Sequence, residues 1–146
     1  MKETICAAAG LAGGVIASAF GGWNTSMMTL LIFMAIDYVT GLIVAGVFHE
    51  SPKTATGALE SRTGFQGICR KCVMLLFVLI AHRLDLALGS AYVRDTVVIG
   101  FMVNELISIV ENAGLMGLPL PAVITNAVEV LARSAGEEDH HNGDGE

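Results

Sequence analysis

The sequence predicts an all-α membrane protein: a bundle of three to four transmembrane helices, a short C-terminal amphipathic helix and a disordered acidic tail. Three observations predict it. Met27 to Phe48 is an apolar run of 22 residues, and a helix needs about 20 to cross a bilayer core. Only 15% of the residues are charged, against about 25% in soluble domains, and mean hydropathy is +0.65. Asp37 lies in the middle of the apolar run. A carboxylate at the bilayer centre costs roughly 2.5–3.5 kcal/mol on insertion scales. It is retained only where protein, water or a countercharge solvates it.

A length of 146 residues suits one small domain, with no room for a separate soluble catalytic domain beside a bundle. The first segment, 5–23, is rich in small residues. Lys2, the apolar run and Ala17-Ser18-Ala19 have the layout of a signal peptide. Crowding with glycine weakens the helix that such a peptide needs, so a retained membrane segment is expected. Gly10, Gly14, Ser18 and Gly22 recur every fourth residue, and Ala9, Gly13, Ala17 and Gly21 repeat this one position earlier. Small residues at that spacing make a flat face that another backbone approaches closely, as in helix association in lipid. The alternative is a generic small-residue helix in a bundle core.

The second span is 27–48. Asp37, Thr40, Gly41, Val44 and Ala45 share one of its faces, and Gly41 and Ala45 again put small residues beside the charge. A polar, glycine-bearing stretch, 49–71, follows and is expected to be a loop with a short helix. It holds Lys53, Arg62, Arg70 and Lys71, so by the positive-inside rule it faces the cytoplasm. The third span, 72–88, has ten unbroken apolar residues before His82, Arg83 and Asp85. His82 and Asp85 are i, i+3 neighbours. The segment could equally end at Ala81, with its charges at the outer surface.

The fourth span, 96–115, carries Asn104, Glu105, Ser108, Glu111 and Asn112. At about 100° per residue they fall within an arc of about 120°. That arc is too polar for lipid and must face protein or water. Arg83 is the basic residue expected at membrane depth, with Asp37, Asp85 and Glu105 competing for it. After Pro119 and Pro121, residues 122–135 place Ile124, Ala127, Val128 and Leu131 at helical spacing. This is expected to be a cytoplasmic amphipathic helix, with Pro121 in its first turn.

The net charge of −6 is misleading as a global figure. Glu137, Glu138, Asp139, Asp144 and Glu146 supply most of it. The tail, 136–146, is expected to be solvated and disordered. Basic residues are few and scattered, which argues against nucleic-acid binding. Cys69 and Cys72 form a CxxC, but zinc wants four ligands, and His140 and His141 lie in the tail. No metal site and no cofactor are expected. The sequence offers no nucleophile–base pair, so no enzyme is expected either.

Asp37-Tyr38-x-Thr40-Gly41, then Ser61, Gly64, Gly67 and Lys71, then His82-x-x-Asp85, resemble the toxin-secretion/phage-lysis holin family. The longest matching block is Asn104-Glu105-x-x-Ser108-Ile109-x-Glu111-Asn112-x-Gly114-x-x-Gly117-x-Pro119-x-Pro121. The resemblance covers about residues 27–133. It implies a multi-pass protein of the bacterial host's cytoplasmic (inner) membrane, with lipid as its surroundings and copies of itself as partners. Such proteins accumulate, assemble at a set time and open lesions through which an endolysin, or a large toxin, passes. Members often end in a basic tail, and this chain departs from that pattern. The residues alone leave two other classes open: a small proton- or ion-coupled transporter or channel using Asp37, His82 and Glu105, and a membrane scaffold subunit. A holin passes folded protein, a transporter passes only small solutes, and a scaffold passes nothing.

Overall fold

The structure, a computed structural model, describes the backbone of residues 1–140 and the side chains of residues 1–134. The described residues form five helices and no strand. They are α1 (Lys2–Ala19), α2 (Thr25–Ile43), α3 (Ser61–Leu88), α4 (Val93–Leu115) and α5 (Ala122–His140). A π-helical turn, Val44–Phe48, prolongs α2.

Each boundary has a local cause. Asn24 is extended and its side chain accepts a hydrogen bond from the Met27 backbone N–H at 2.9 Å, capping α2. His49 ends the π-helical turn with φ at +53°. Gly89, at φ +67°, ends α3 in the left-handed region that glycine enters without penalty. Gly117, at φ +73°, does the same just beyond α4. Pro121 stands one residue ahead of α5, and its carbonyl accepts from the Ile124 N–H at 2.9 Å.

Two boundaries differ most from the sequence expectation. α3 begins at Ser61 and runs 28 residues, about 42 Å, so its first eleven residues, including Arg70 and Lys71, are helix rather than loop. Hydropathy alone starts the span at Cys72, just after the Arg70-Lys71 pair. α5 reaches His140, five residues beyond the expected end. Positions 141–146 of the expected tail lie outside the described residues.

The buried positions explain the packing. On α2, Met27, Leu30, Met34 and Asp37 are buried, followed by Val44 and Ala45 in the π-helical turn; on α3, Met74, Val78, Ala81 and Asp85; on α4, Arg94, Val98, Val103, Glu105, Asn112 and Ala113. Apart from Ala45, Val103 and Ala113, these positions step by three and four, or by sums of the two, as in the seam of helices packed side by side. α4 is the central helix, packing against α2, α3 and α5. The apolar core, Met27, Leu30, Met34, Met74, Val78 and Val98, fills the end of the bundle where α2 and α4 begin. α2 and α4 run parallel, since Arg94 reaches Gly22 at one end and Asn112 reaches Thr40 toward the other. α3 runs antiparallel between the same levels.

The outer surface is apolar. Ile32, Ile36, Val39 and Ile43 on α2, and Leu76, Phe77, Ile80 and Leu84 on α3, are all exposed. This inverts the soluble pattern, in which the polar face points outward. Among the described residues, Thr25–Phe48 is the one helix long and apolar enough by composition to cross a membrane, with a mean hydropathy of 2.2. α1 buries no residue. It meets the bundle at its C-terminal turn, where a Cβ on Gly21 would lie 2.7 Å from the His82 ring. Gly21 also has φ +80°. Both the backbone conformation and the close approach therefore require glycine there.

Candidate functional site

Lys71 is at the centre of the polar interior. Its ammonium donates to Asp37 Oδ2 at 2.7 Å and makes a second, shorter ion pair with Glu105 Oε2. Three helices each contribute one member: α2 the aspartate, α3 the lysine, α4 the glutamate. Asp37 is 7% exposed and Glu105 3% exposed, so both carboxylates are desolvated and depend on Lys71. Two carboxylates facing one ammonium leave the cluster with one surplus negative charge when all three are ionised.

Asn112, two turns beyond Glu105 on α4, supports the aspartate. Its Nδ2 donates to Thr40 Oγ1 at 2.9 Å, Asp37 Oδ1 at 3.2 Å and the Asp37 carbonyl at 3.3 Å. Thr40 Oγ1 in turn donates to the Ile36 carbonyl at 2.8 Å. A Cβ on Gly41 would sit 3.8 Å from Asn112 Nδ2, an ordinary contact, so the approach does not depend on glycine there. The Tyr38 hydroxyl donates to the Gly64 carbonyl at 3.4 Å, and the Tyr38 ring lies over Gly67.

Beside the cluster lies a chamber of about 120 Å³. Asp37, Lys71, Glu105 and Asn112 line it from the bundle side, with Ala45 and Ser108 in its walls. The loop 49–60 closes it through Ser51, Lys53 and Thr54. That loop is held in shape by Ser51 N–H donating to the Gly57 carbonyl at 3.0 Å and by Thr54 Oγ1 donating to the Ala58 carbonyl at 2.9 Å. The π-helical turn contributes Val44 and Ala45 to the same wall, and π-helical turns recur at functional sites.

A second polar cluster ties the opposite end. Asp85 Oδ1 accepts from Ser90 Oγ at 2.6 Å and from the Val93 N–H at 3.0 Å, and Oδ2 accepts from the Arg94 N–H at 2.8 Å. The carboxylate thus takes up free amides at the start of α4, the usual task of a capping residue. Arg94 is buried, and its guanidinium donates to the Gly22 carbonyl at 3.0 Å and to Asp95 at 3.2 Å. Its Nε has no partner among the described residues.

The expected residues therefore separate into groups. Asp37, Gly41, Ala45, Asn104, Glu105, Ser108 and Asn112 line the chamber, and Thr40 joins them through its bond from Asn112. Asp85 belongs to the α3–α4 turn, and His82 is half-buried under Gly21. Arg83 is exposed and is absent from the ion pairs of the described residues. The expected basic partner is thus corrected from Arg83 to Lys71. Asn104 and Glu111 are both exposed, but Asn104 also lines the chamber, so of the arc on α4 only Glu111 stands outside it. Gly10 and Gly14 have open space around them, and Ser18 bonds only within its own helix, to Val15. Gly22 contributes its carbonyl to Arg94. Cys6, Cys69 and Cys72 are free and exposed. The described residues contain no cluster of three or more His, Cys, Asp or Glu side chains suited to a metal.

Nothing local marks Arg94 as buried, and Lys71 reads as loop by its charge, beside Arg70 in a polar stretch. The signal was periodic rather than hydropathic: Gly64, Gly67, Lys71, Met74, Val78, Ala81 and Asp85 step by three and four along α3.

Against known sequences, a model of the bacteriophage holin family matches residues 14–133. The chain belongs to that family. It is 37% identical over 134 residues to an uncharacterized protein of Listeria innocua serovar 6a, covering 90% of each chain. It is 41% identical over 118 residues to an uncharacterized protein of Halalkalibacterium halodurans, covering 77% of this chain and 82% of that one. It is 32% identical over 103 residues to the probable holin of Bacillus phage phi105, covering 70% of each. No solved structure matches. Family membership makes this a membrane protein with a phage holin role, and members are typically not enzymes.

Proposed function

We propose that this chain is a holin that oligomerises in the bacterial cytoplasmic membrane and opens lesions at a set time, releasing an endolysin or a large toxin. α2, α3 and α4 cross the membrane together, α2 as the apolar helix and the other two sheltered by it and by neighbouring copies. The loop 49–60 and α5 face the cytoplasm. Lys53 and Arg62 support that orientation, with Arg70 deeper on α3.

One observation carries the reading: the Asp37–Lys71–Glu105 cluster, built from all three helices about halfway along α2 and α4. A bundle that buries an ion cluster with a surplus charge is costly to hold in lipid. That cost favours a second arrangement in which the cluster is hydrated, and a lesion wall is such an arrangement. The small-residue face of α1, Gly10, Gly14, Ser18 and Gly22, supplies a further surface for copies to meet.

The chamber reaching the same cluster favours a second reading, passage of protons or small ions without a large lesion. One experiment separates them. The chain is expressed in a host carrying a folded fluorescent reporter in its cytoplasm. Release of intact reporter supports the holin reading. Loss of membrane potential with full reporter retention supports the channel. Neither effect, with the chain present in the membrane, leaves a scaffold.

A further inference from the structure

α3 and α4 leave a groove of about 570 Å³ on their shared surface. Arg70 and Asn104 stand at its inner end, and Phe77, Val97 and Phe101 line the rest. Gly100 adds room, since nothing lies within 4 Å of where its Cβ would be. Glu111 follows Asn104 by seven residues and so lies on the same face of α4, two turns inward. Arg70, Asn104 and Glu111 are all exposed. Neither Arg70 nor Glu111 takes part in the ion pairs of the described residues. Arg70 and Asn104 stand between the chamber and the groove and line both. Arg70 is next to Lys71, at the depth of the central cluster, and the part of its guanidinium that reaches the groove has lipid as a poor neighbour.

We propose that a second copy of this chain docks on this face, groove to groove, about a two-fold axis along the membrane normal. This rests on the oligomeric reading above and names the surface that makes the first contact. The rotation lays α3 of one copy against α4 of the other and preserves depth. Arg70 then faces Asn104 of the second copy. Helix side chains lean toward their own N-terminus. α3 starts at the cytoplasmic end and α4 at the outer end, so Arg70 leans inward while Glu111 leans outward. The two close the gap of about 10 Å that separates Asn104 from Glu111 along the helix. Gln66, one turn inward of Arg70, completes the cover of that carboxylate. Phe77 enters the space beside Gly100 of the second copy. The face carries one cation and one anion, offset so that it complements itself under this rotation and not when simply translated.

The test uses a chain in which Cys6, Cys69 and Cys72 are replaced by serine. One copy carries Gln66→Cys and another, of different length, carries Glu111→Cys. Co-expressed and oxidised in membranes, they form a mixed disulfide identified by its mass. Separately, Arg70→Glu and Glu111→Arg each weaken the detergent-solubilised dimer by about tenfold, and the double exchange restores most of it. Unchanged helicity in all three shows that the fold is kept. Absence of the mixed disulfide, or a double variant no better than the singles, overturns the proposal. If reporter protein still leaves the cell in that case, the holin reading stands without this interface. If the disulfide forms and no reporter leaves, the interface stands and the lesion reading falls.

Discussion

Lys71 and Asp37 are 34 residues apart in the chain and 2.7 Å apart in the fold. That pair fixes the register of α3 against α2. The contacts around it share that register: Glu105 meets the same ammonium from α4, and Asn112, two turns further along α4, donates to Asp37 and Thr40. A polar residue in a helix seam specifies alignment at a cost in stability, and here three helices are aligned at once.

Lys71→Met tests the cluster. It strands two buried carboxylates and is expected to destabilise the solubilised bundle by about 3–5 kcal/mol. The triple variant Asp37→Asn, Lys71→Met, Glu105→Gln removes all three charges and recovers most of that loss. Denaturant unfolding followed by circular dichroism measures both. Equal stability of Lys71→Met and wild type would mean that the ammonium is dispensable.

How much of this was legible in the sequence depends on the residue. Asp37, Glu105 and Asn112 announced themselves, since each interrupts an apolar helix and has nowhere else to go. Lys71 did not, because a lysine beside Arg70 in a polar stretch reads as loop, and only its three-and-four spacing to Met74, Val78 and Ala81 marks it as inward. Arg94 was harder still. It sits two residues into α4, and its burial arises from the α1–α2 turn folding back over it through Gly22, a tertiary event with no local signature. The division of the α4 arc into buried Glu105 and Asn112 and exposed Asn104 and Glu111 was equally invisible, because an arc on a helical wheel does not say where neighbouring helices stop.

The α3–α4 turn should weaken when its carboxylate goes. Asp85→Ala removes the acceptor for Ser90 Oγ and for the Val93 and Arg94 amides. The expected loss is about 0.5–2 kcal/mol. Amide exchange at Val93 and Arg94 should quicken well before that of Val98. Unchanged exchange there would show that the first turn of α4 is held by other means.

Gly21→Ala combines a φ of +80° with a Cβ placed 2.7 Å from the His82 ring. The backbone part alone costs about 1–2 kcal/mol. Adding His82→Ala should relieve the steric part and leave the backbone part, so the double variant melts between Gly21→Ala and wild type. A double variant as unstable as the single would place the whole effect in the backbone.

Orientation is tested at Thr56, exposed in the loop 49–60. Thr56→Cys, with Cys6, Cys69 and Cys72 removed, should resist a membrane-impermeant thiol reagent added to intact spheroplasts and react after lysis. Prompt labelling from outside would reverse the proposed topology.

Glu105 carries the most functional weight. Glu105→Gln keeps its size and hydrogen-bonding capacity but leaves Lys71 and Asp37 as a balanced pair, without the surplus negative charge. The closed bundle then loses its reason to seek water. We expect this variant to insert and assemble, yet to lyse late or not at all when expressed with an endolysin. Glu105→Leu also removes the charge, but it takes away one of the two acceptors of Lys71 and sets an apolar group against Ser108 and the chamber. It should weaken the closed bundle itself, seen as reduced accumulation in the membrane, because a buried donor left short of partners costs about 1–3 kcal/mol. Turbidity after induction, with immunoblots for membrane content, separates the two effects. Wild-type lysis timing from both variants would mean that the charge at position 105 plays no part in opening.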